Sequence, residues 1–415
     1  MAIETQRIRR SKFAPWFGLI AAVTAVAIGW GGVMAANQSV QGFKKEEGGF
    51  DGDAPTAILI EATSGSVLFE KNADELRAPS SMMKLMTAEV VFHAIKQGDI
   101  KPTDEYRISE NAWRKGGAPS GTSTMFAAIN SKVSVDDLLH GALIQSGNDA
   151  CIALAEGMAG NENIFAADFM TKRARELGLT KSTFANSNGL PNPGNKMTVR
   201  ELAKLARYLI LTYPDYYKLF GEKEFTWNKI RQPNRNPLLN SLEGADGLKT
   251  GYTEEGGYGM VGSAVQNGVR LIVVVNGLED SEDRASEAKK MLEWGFRNFE
   301  VRTLFAAQQP VGYAKVFGGD SGSVKLSSPE PIKVMVQKNG NDKLIARIVY
   351  SGPVRAPIAA GQQVGVIKVW RGANIAEEQP VYAADSVGKG STVRRAMDGV
   401  SELVIGMFRA GAEKL

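Results

Sequence analysis

The chain has 415 residues, 43% hydrophobic and 23% charged, which is typical of a globular protein with room for two domains. Its formal net charge is +4, but residues 1–36 hold four basic residues and one acidic residue. The remaining 45 basic and 44 acidic residues give a net charge of only +1. This balance argues against a nucleic-acid partner.

One cysteine and two histidines limit the available chemistry. Cys151 alone excludes an internal disulfide framework and a cysteine-based zinc site, and its apolar run "ACIALAE" predicts a buried side chain. His93 and His140 exclude an H-E-x-x-H metal motif and lie in apolar runs typical of helix interiors. A Ser-His-Asp triad stays open by count, but a hydrolase with this sequence is expected to use another base. We expect no metal and no organic cofactor.

The N-terminus is typical of an export signal, predicted over residues 1–36. Basic residues precede an uncharged run that is apolar from about Trp16 to Ala36, and cleavage is expected after Ala35 or Ala36. The run is also long enough for an uncleaved membrane anchor, an alternative that stays open. Residues 37–54 are polar and glycine-rich and predict a flexible lead-in.

A hairpin and then a helical region are predicted next. The run "TAILIEATSGSVLFEK" alternates around a Thr-Ser-Gly turn, which favours two paired strands. Residues 80–220 are mostly helical in pattern. Two helix starts are marked by capping-box-like runs, Ser134 to Asp137 and Thr198 to Glu201.

Strand patterns return near residue 245. The runs "GADGLKTGYT" and "YGMVGSAVQ" precede Asn267-Gly268, a strong hairpin signal, and then "VRLIVVVN". The run "DRASEAKKMLEWGFRNFE" predicts an amphipathic helix. This order predicts an α/β (α+β) domain over residues 55–300, with an antiparallel sheet built from the first hairpin and the later strands and a helical subdomain inserted between them.

Two further segments complete the predicted organisation. Residues 303–385 contain β-like runs separated by Gly, Pro, Ser and Asn, and predict a small all-β domain. Residues 390–415 place apolar side chains, from Val393 to Met407, at a 3.6-residue period. This amphipathic helix either lies at a membrane surface or packs on a neighbouring domain.

Three short motifs carry the functional signal: Ser81-Met-Met-Lys84, Ser146-Gly-Asn148 and Lys249-Thr250-Gly251. Each is weak alone, since Ser-x-x-Lys also occurs at Ser286 and Ser386. In this order they resemble the signature of the serine β-lactamase and penicillin-binding protein superfamily. The runs "LRAPSSMMKLMT", "LIQSGNDACIALAE", "EFTWNKIRQPNRNPLL", "DGLKTGYT" and "LEWGFRNFE" resemble the D-alanyl-D-alanine carboxypeptidases among the low-molecular-mass penicillin-binding proteins (class C, type 5), over about residues 54–385.

The residue types also suit this chemistry directly. A serine hydroxyl needs a nearby base, and Lys84 lies one helical turn from Ser81. Lys84 must be neutral to accept a proton, and both burial and a second cation, for which Lys249 is the candidate, lower the pKa of a lysine. The backbone N–H of Ser81, in a first helical turn, is free to hold an oxyanion.

The resemblance implies roles for the remaining site residues. Ser146 would relay the proton to the leaving group, and Asn148 would hold the substrate amide and Lys84. Lys249 and Thr250 would bind the terminal carboxylate of the substrate. Gly251 would keep the wall clear for the substrate.

Four further positions are weaker parts of that resemblance. The backbone N–H of Tyr252 would be the second oxyanion donor, where many relatives have His. Arg284 and Arg235 are candidates for the carboxylate subsite, although Arg284 could instead pair with Glu287 or Glu279. Asn188 stands where some relatives have His, which leaves the activation of the deacylating water open.

The expected function is removal of the terminal D-alanine of peptidoglycan pentapeptides through an ester on Ser81, with β-lactams as substrate mimics. The resemblance implies a periplasmic enzyme held on the outer face of the cytoplasmic membrane by its last helix, with a part in cell-wall maturation and cell shape. A DD-endopeptidase, a β-lactamase and a catalytically silent wall protein are the alternatives. The β-lactamase is disfavoured because the class A Glu-x-x-x-Asn would need Asn where Thr180 follows Glu176.

Overall fold

The computed structural model describes residues 2–7, 49–340, 343–372 and 374–399. The strands are β1 (Ala2–Arg7), β2 (Thr56–Glu61), β3 (Val67–Lys71), β4 (Glu105–Arg107), β5 (Lys132–Ser134), β6 (Glu224–Trp227), β7 (Ile230–Pro233), β8 (Ala245–Thr253), β9 (Gly257–Gln266), β10 (Val269–Leu278), β11 (Phe299–Phe305), β12 (Pro310–Phe317), β13 (Ser323–Ser327), β14 (Ile332–Gln337), β15 (Leu344–Tyr350), β16 (Val354–Arg355), β17 (Gln363–Arg371) and β18 (Asn374–Ala383).

The α-helices are α1 (Lys84–Gln97), α2 (Glu110–Gly116), α3 (Val135–Leu143), α4 (Asn148–Ala159), α5 (Glu162–Ile164), α6 (Thr171–Glu176), α7 (Val199–Thr212), α8 (Pro214–Tyr217), α9 (Leu238–Ser241) and α10 (Ser281–Asn298). Short 3₁₀ turns cover Ser80–Met83, Ala118–Ser120 and Lys218–Gly221, and a π turn covers Phe165–Met170.

The larger domain is built on one antiparallel sheet with strand order β3-β2-β10-β9-β8. Asn267 (φ 49°) and Gly268 (φ 76°) both have positive φ, as the two-residue turn between β9 and β10 requires. This confirms both predicted hairpins and the inserted helical region. Strand β8 lies at the sheet edge, and it carries the Lys-Thr-Gly motif.

Both faces of this sheet are covered, because alternate residues of each strand point to opposite sides. In β10, Ile272 and Val274 join the core formed with α1, α3, α4 and α7. Leu271, Val273 and Val275 join a second core, which includes residues of α10. The sheet is thus packed on both faces, and its edge strand β8 is held by pairing with β9.

The predicted helix starts have the expected caps. The Ser134 hydroxyl accepts a hydrogen bond from the Asp137 N–H at 3.0 Å, and the Thr198 hydroxyl accepts one from the Glu201 N–H at 3.0 Å. These caps fix where α3 and α7 begin.

The C-terminal domain is a separate all-β unit with its own core. Its large sheet has the order β1-β15-β17-β18-β13-β12-β16, and β11 pairs with β14. Strand β1 pairs in parallel with β15. The domain contacts the larger one through β14, since Met335 is 3% exposed and belongs to the α10-side core.

A helix begins after Ser391 and covers residues 392–399 at the end of the described chain. Arg394 donates to the Asp320 carbonyl at 2.7 Å, and Asp398 accepts from the Gly318 N–H at 2.8 Å. Val393 and Met397 are 70% and 67% exposed. The helix therefore docks on the β domain through polar groups and leaves these two apolar side chains outside.

Two sequence predictions fall largely outside the described part of the chain. Of the predicted export signal (1–36) only residues 2–7 are described, as strand β1. Of the predicted flexible lead-in (37–54) residues 49–54 are described, and they are packed instead: Ala54 is fully buried and the Phe50 ring lies 5.3 Å from that of Phe69. Residues 400–415 of the last helix are not among the described residues. Within the described ranges, the helices are either too short or too polar to pass through a bilayer.

Candidate active site

The three motifs meet where the sheet edge faces the start of α1. Ser81 lies in the 3₁₀ turn before α1, and Lys84 is the first residue of that helix. Ser146 and Asn148 lie at the connection from α3 to α4, and Lys249 lies on β8. The capped helices and the buried sheet thus bring together three segments far apart in sequence.

Lys84 is the centre of the site. Its side chain is fully buried, and its Nζ lies 2.9 Å from Ser81 Oγ, 2.7 Å from Asn148 Oδ1 and 2.8 Å from the Asn188 carbonyl oxygen. The predicted nucleophile and base are therefore within direct hydrogen-bond distance.

The three partners of Lys84 differ in what they can do. The Asn188 carbonyl can only accept, and Asn148 presents its oxygen because its Nδ2 donates to Thr122 Oγ1 at 3.0 Å. A neutral amine has two N–H groups, which these two oxygens occupy. Its lone pair is then left for the third partner, the hydroxyl of Ser81.

Burial is the main reason that Lys84 can be neutral. Burial, with a smaller contribution from the Arg235 guanidinium, lowers the pKa of Lys84 to about 8. Burial also lowers the pKa of Lys249, which is 2% exposed, and the nearby Lys84 charge adds to that shift. Burial therefore acts on both lysines, and Lys84 and Lys249 lie close enough for their charges to repel each other.

Ser146 sits in a strained turn. Its φ is +67°, a left-handed conformation that is uncommon for serine, and its side chain is 3% exposed. Within the described residues its hydroxyl has no hydrogen-bond partner. Such a hydroxyl is available to a substrate atom or to Lys84.

The edge strand packs closely on the turn that carries the nucleophile. Ser80 Oγ lies 2.8 Å from Thr253 Oγ1. A Cβ on Gly251 would lie 3.1 Å from the Pro79 carbonyl and 3.2 Å from the Met82 nitrogen. The sequence argument for Gly251 invoked intrusion on the substrate, whereas the structure shows that a side chain would first meet the backbone of residues 79–82.

Basic side chains without acidic partners line this region. Among the described residues neither Arg235 nor Arg284 has an ion pair, and Glu287 instead accepts from the Ala54 N–H at 3.3 Å. Burial lowers the pKa of both arginines, and the Arg284 charge lowers that of Lys249. The alternative pairing of Arg284 with Glu287 or Glu279 is therefore absent here, and a positive field is left to receive an anion.

Thr250 and Tyr252 follow Lys249 on β8. Thr250 is 6% exposed, whereas Tyr252 is 51% exposed and stacks on Tyr258 with ring centroids 4.1 Å apart. Because β8 is an edge strand, part of its backbone N–H groups remain outside the sheet ladder. Tyr252 thus presents an exposed aromatic surface on this strand, and its role as a backbone donor stays a prediction.

The sequence did not predict the side chains that position the Asn188 carbonyl, which accepts a hydrogen bond from Lys84. Glu162 Oε1 accepts from Ser187 Oγ at 2.7 Å and from Asn188 Nδ2 at 3.2 Å, and Asn188 Oδ1 accepts from the Leu190 N–H at 2.8 Å. The side chain of Asn188 is therefore engaged in its own loop, and its backbone carbonyl serves Lys84.

Asp149 positions the loop that contacts the other accepting partner of Lys84, Asn148. Its buried carboxylate accepts from Thr124 Oγ1 at 2.7 Å and from the Met125 N–H at 2.9 Å, which ties the loop after Thr122 to α4. The only sequence hint was that Asp149 adjoins the Ser-x-Asn motif. Cys151, two residues further on, is fully buried as predicted.

Comparison with known proteins agrees with this geometry. A family profile described as D-alanyl-D-alanine carboxypeptidase matches residues 43–280, and one described as the C-terminal domain of penicillin-binding protein 5 matches residues 299–389. The chain belongs to the D-alanyl-D-alanine carboxypeptidase family. The predicted family is therefore confirmed.

Several known proteins align with this chain over most of its length. D-alanyl-D-alanine carboxypeptidase DacC of Escherichia coli is 41% identical over 83% of this chain and 87% of its own. Penicillin binding protein 5 from Haemophilus influenzae superposes with a TM-score of 0.72 at 36% identity, covering 82% of this chain and 99% of its own. For DacD from Francisella tularensis the TM-score is 0.66 at 30% identity, covering 86% and 99%. These likenesses confirm the predicted fold class.

The β-lactamase alternative finds no support in this carboxypeptidase fold. Glu176, the carboxylate considered for it, forms an ion pair with Arg173 at 2.9 Å, and its side chain is 47% exposed. It lines a groove with His93 and Lys172, away from the Lys84 contacts. It is not placed to activate water at Ser81.

Proposed function

We propose that this protein is a serine-type carboxypeptidase that releases the terminal D-alanine of peptidoglycan pentapeptides. The observation that carries the proposal is the buried Lys84 amine, which lies 2.9 Å from Ser81 Oγ with its other two partners limited to accepting. The names of the relatives supply the substrate class.

Acylation begins when Lys84 takes the proton of Ser81. Oγ then forms a bond with the carbonyl carbon of the penultimate D-alanine, and the oxyanion is held by the backbone N–H groups of Ser81 and Tyr252. Protonated Lys84 gives this proton to the Ser146 hydroxyl, which in turn gives its own proton to the leaving amine as the C–N bond breaks, so that Ser146 and the neutral Lys84 are both restored. D-Alanine departs, and the peptide remains as an ester on Ser81.

The positively charged side chains near Ser81 would favour a substrate with a free C-terminal carboxylate. The carboxylate of the departing D-alanine would be held by Lys249, Thr250, Arg284 and Arg235. Water then hydrolyses the ester, with Lys84 as the nearest base. A β-lactam mimics the substrate, and its ester persists because no leaving amine diffuses away.

The direct test is D-alanine release from an acyl-Lys-D-Ala-D-Ala peptide by the purified full chain. We expect the Ser81→Ala variant to lose at least about a thousandfold in rate. Ser286→Ala is the matched control, because Ser286 also belongs to a Ser-x-x-Lys run but lies exposed on α10. It should retain full activity.

Three outcomes would count against the proposal. Release that survives in Ser81→Ala would remove Ser81 as the nucleophile. A folded wild type that releases nothing from this peptide but cleaves crosslinked muropeptides would indicate the endopeptidase instead, and inactivity on both would indicate a silent wall protein.

We further propose that residues 1–36 direct export to the periplasm and that the last helix holds the enzyme on the outer face of the cytoplasmic membrane. The support is the basic-then-apolar N-terminal sequence and the outward position of Val393 and Met397. Docking through Arg394 and Asp398 uses the polar side of the helix, so its apolar side stays available.

A further inference from the structure

Arg284 is half-buried and lacks the contacts that usually orient such an arginine. It lies in the first turns of α10, and its Nε is buried without a hydrogen-bond partner in the described structure. Two acidic residues of this region are occupied elsewhere: Asp280 caps α10 by accepting from the Glu282 and Asp283 N–H groups, and Glu287 accepts from Ala54. Among the described residues Arg284 forms no ion pair, so no carboxylate there fixes the direction of its guanidinium.

An aromatic ring takes that place. The Arg284 Cζ lies 5.5 Å from the ring centroid of Tyr258, a distance typical of a cation–π contact. Tyr258 lies on β9 directly opposite Tyr252 of β8, and the two rings stack with an interplanar angle of 27°. Tyr258 thus links the helix that carries Arg284 to the strand that carries the Lys-Thr-Gly motif.

The positive charge of Arg284 acts on Lys249 in the active site. It contributes to lowering the pKa of Lys249, and Arg235 in turn lowers the pKa of Arg284. A guanidinium that is repelled by two neighbouring cations would move away unless something attracted it. The face of an aromatic ring attracts it without neutralising its charge, which leaves that charge available to a carboxylate.

We propose that Tyr258 is a positioning residue, whose ring holds the Arg284 guanidinium where it receives the C-terminal carboxylate of the substrate. This inference rests on the carboxylate-binding role proposed above for Arg284. The contact made by Tyr258 is with Arg284 and with Tyr252, so it acts on the substrate only through them.

The test combines a double-mutant cycle with two substrates. Wild type, Tyr258→Leu, Arg284→Gln and the double variant are assayed on an acyl-D-Ala-D-Ala peptide and on its C-terminal amide, which lacks the carboxylate charge. We expect Tyr258→Leu to raise KM for the free acid about tenfold with a smaller change in kcat, and to change little on the amide. The double variant should be no worse than Arg284→Gln alone.

Three controls separate positioning from damage to the fold. Tyr258→Phe keeps the ring and should stay within about threefold of wild type. Tyr313→Leu alters a tyrosine of the C-terminal domain that is 58% exposed and should have no effect. If Tyr258→Leu unfolds at the assay temperature, Tyr258→Met fills the same space and takes its place in the cycle.

Equal losses on the acid and the amide, or losses that add in the double variant, would overturn the inference and leave Tyr258 a purely structural residue. A wild type that releases no D-alanine would overturn the proposed function, and this inference with it. That failure is recognised separately, because it is seen before any variant is made.

Discussion

Lys84 determines how this site should respond to pH. With its pKa lowered to about 8 by burial and by Arg235, roughly one molecule in ten carries the neutral amine at pH 7. Raising the pH removes the proton, so the fraction competent to activate Ser81 rises. Acylation should therefore increase about tenfold per pH unit below pH 8 and level off above it.

This pH dependence can be measured as the acylation rate of a chromogenic β-lactam in stopped-flow experiments between pH 5.5 and 9.5. Arg235→Gln removes a neighbouring positive charge, so it should move the midpoint to higher pH. A flat profile, or a midpoint above 10, would mean that Lys84 is not the base.

The contact of Ser81 with Lys84 was predictable from their spacing, whereas Ser146, Asn148 and Lys249 were predictable only from the order of the motifs in the family resemblance. Ser81 and Lys84 share one helical turn, so their spacing reveals their contact. Lys84 also donates to the backbone carbonyl of Asn188, 104 residues away. Because every residue type has a backbone carbonyl, no sequence pattern could indicate this contact. Glu162 was missed because its partners Ser187 and Asn188 lie 25 and 26 residues further on.

The helix over residues 392–399 offers a test at the scale of one element. Replacing both Val393 and Met397 by Ser removes apolar surface that is exposed to solvent. We expect the bound fraction on lipid vesicles to fall by at least about tenfold, with D-alanine release unchanged in free solution. Flotation with phosphatidylcholine vesicles, with and without anionic lipid, measures this.

The matched control for this helix is a double Ser substitution at Leu211 and Ile230. These side chains are 52% and 40% exposed but lie on the larger domain. An equal loss of binding in both pairs would show that the helix has no special affinity for the lipid surface.

Elements were well predicted where a local signal matched a long periodic run. The Asn267-Gly268 turn and the caps at Ser134 and Thr198 are examples. The β6–β7 hairpin was missed, because its two-residue turn has Asn228 (φ 47°) followed by Lys229 (φ 65°) instead of the usual glycine. Its strands are also only four residues long, too short for alternation to be distinguished.

At the scale of the whole molecule, the two domains meet at a pair of carboxylates. Burial, together with the like charge of Glu61 on β2, raises the pKa of Glu377 on β18 to about 7. Both line a cavity of about 500 Å³ between the domains. Glu61 is held there by three hydrogen bonds, from the Thr63 and Ser64 N–H groups and the Ser64 hydroxyl.

The sign of the effect on stability follows from this raised pKa. The folded state favours the protonated Glu377, so its cost appears as pH rises above about 4.5 and is complete above about 7. Glu377→Gln should stabilise the protein by about 1 kcal/mol at pH 8, after allowance for solvent screening, and by only about a quarter of that at pH 5, where the unfolded carboxyl is already partly ionised. Thermal unfolding at both pH values measures the difference.

Glu378→Gln is the control for this interface. Glu378 is the next residue on the same strand, but it is exposed and pairs with Lys368 at 2.9 Å. It should give no stabilisation at pH 8. Equal stabilisation by both substitutions would mean that overall charge, not the contact between the domains, is responsible.

The strand order of the large sheet has a consequence for how the chain is made. β2 pairs with β10, so Thr56 meets Asn276, a partner 220 residues later. The central strands cannot join until nearly 280 residues have left the ribosome, and pairing between such distant segments is slow. For the export proposed here that delay is useful, because a chain that cannot yet close its core is still thin enough to be threaded through a membrane pore.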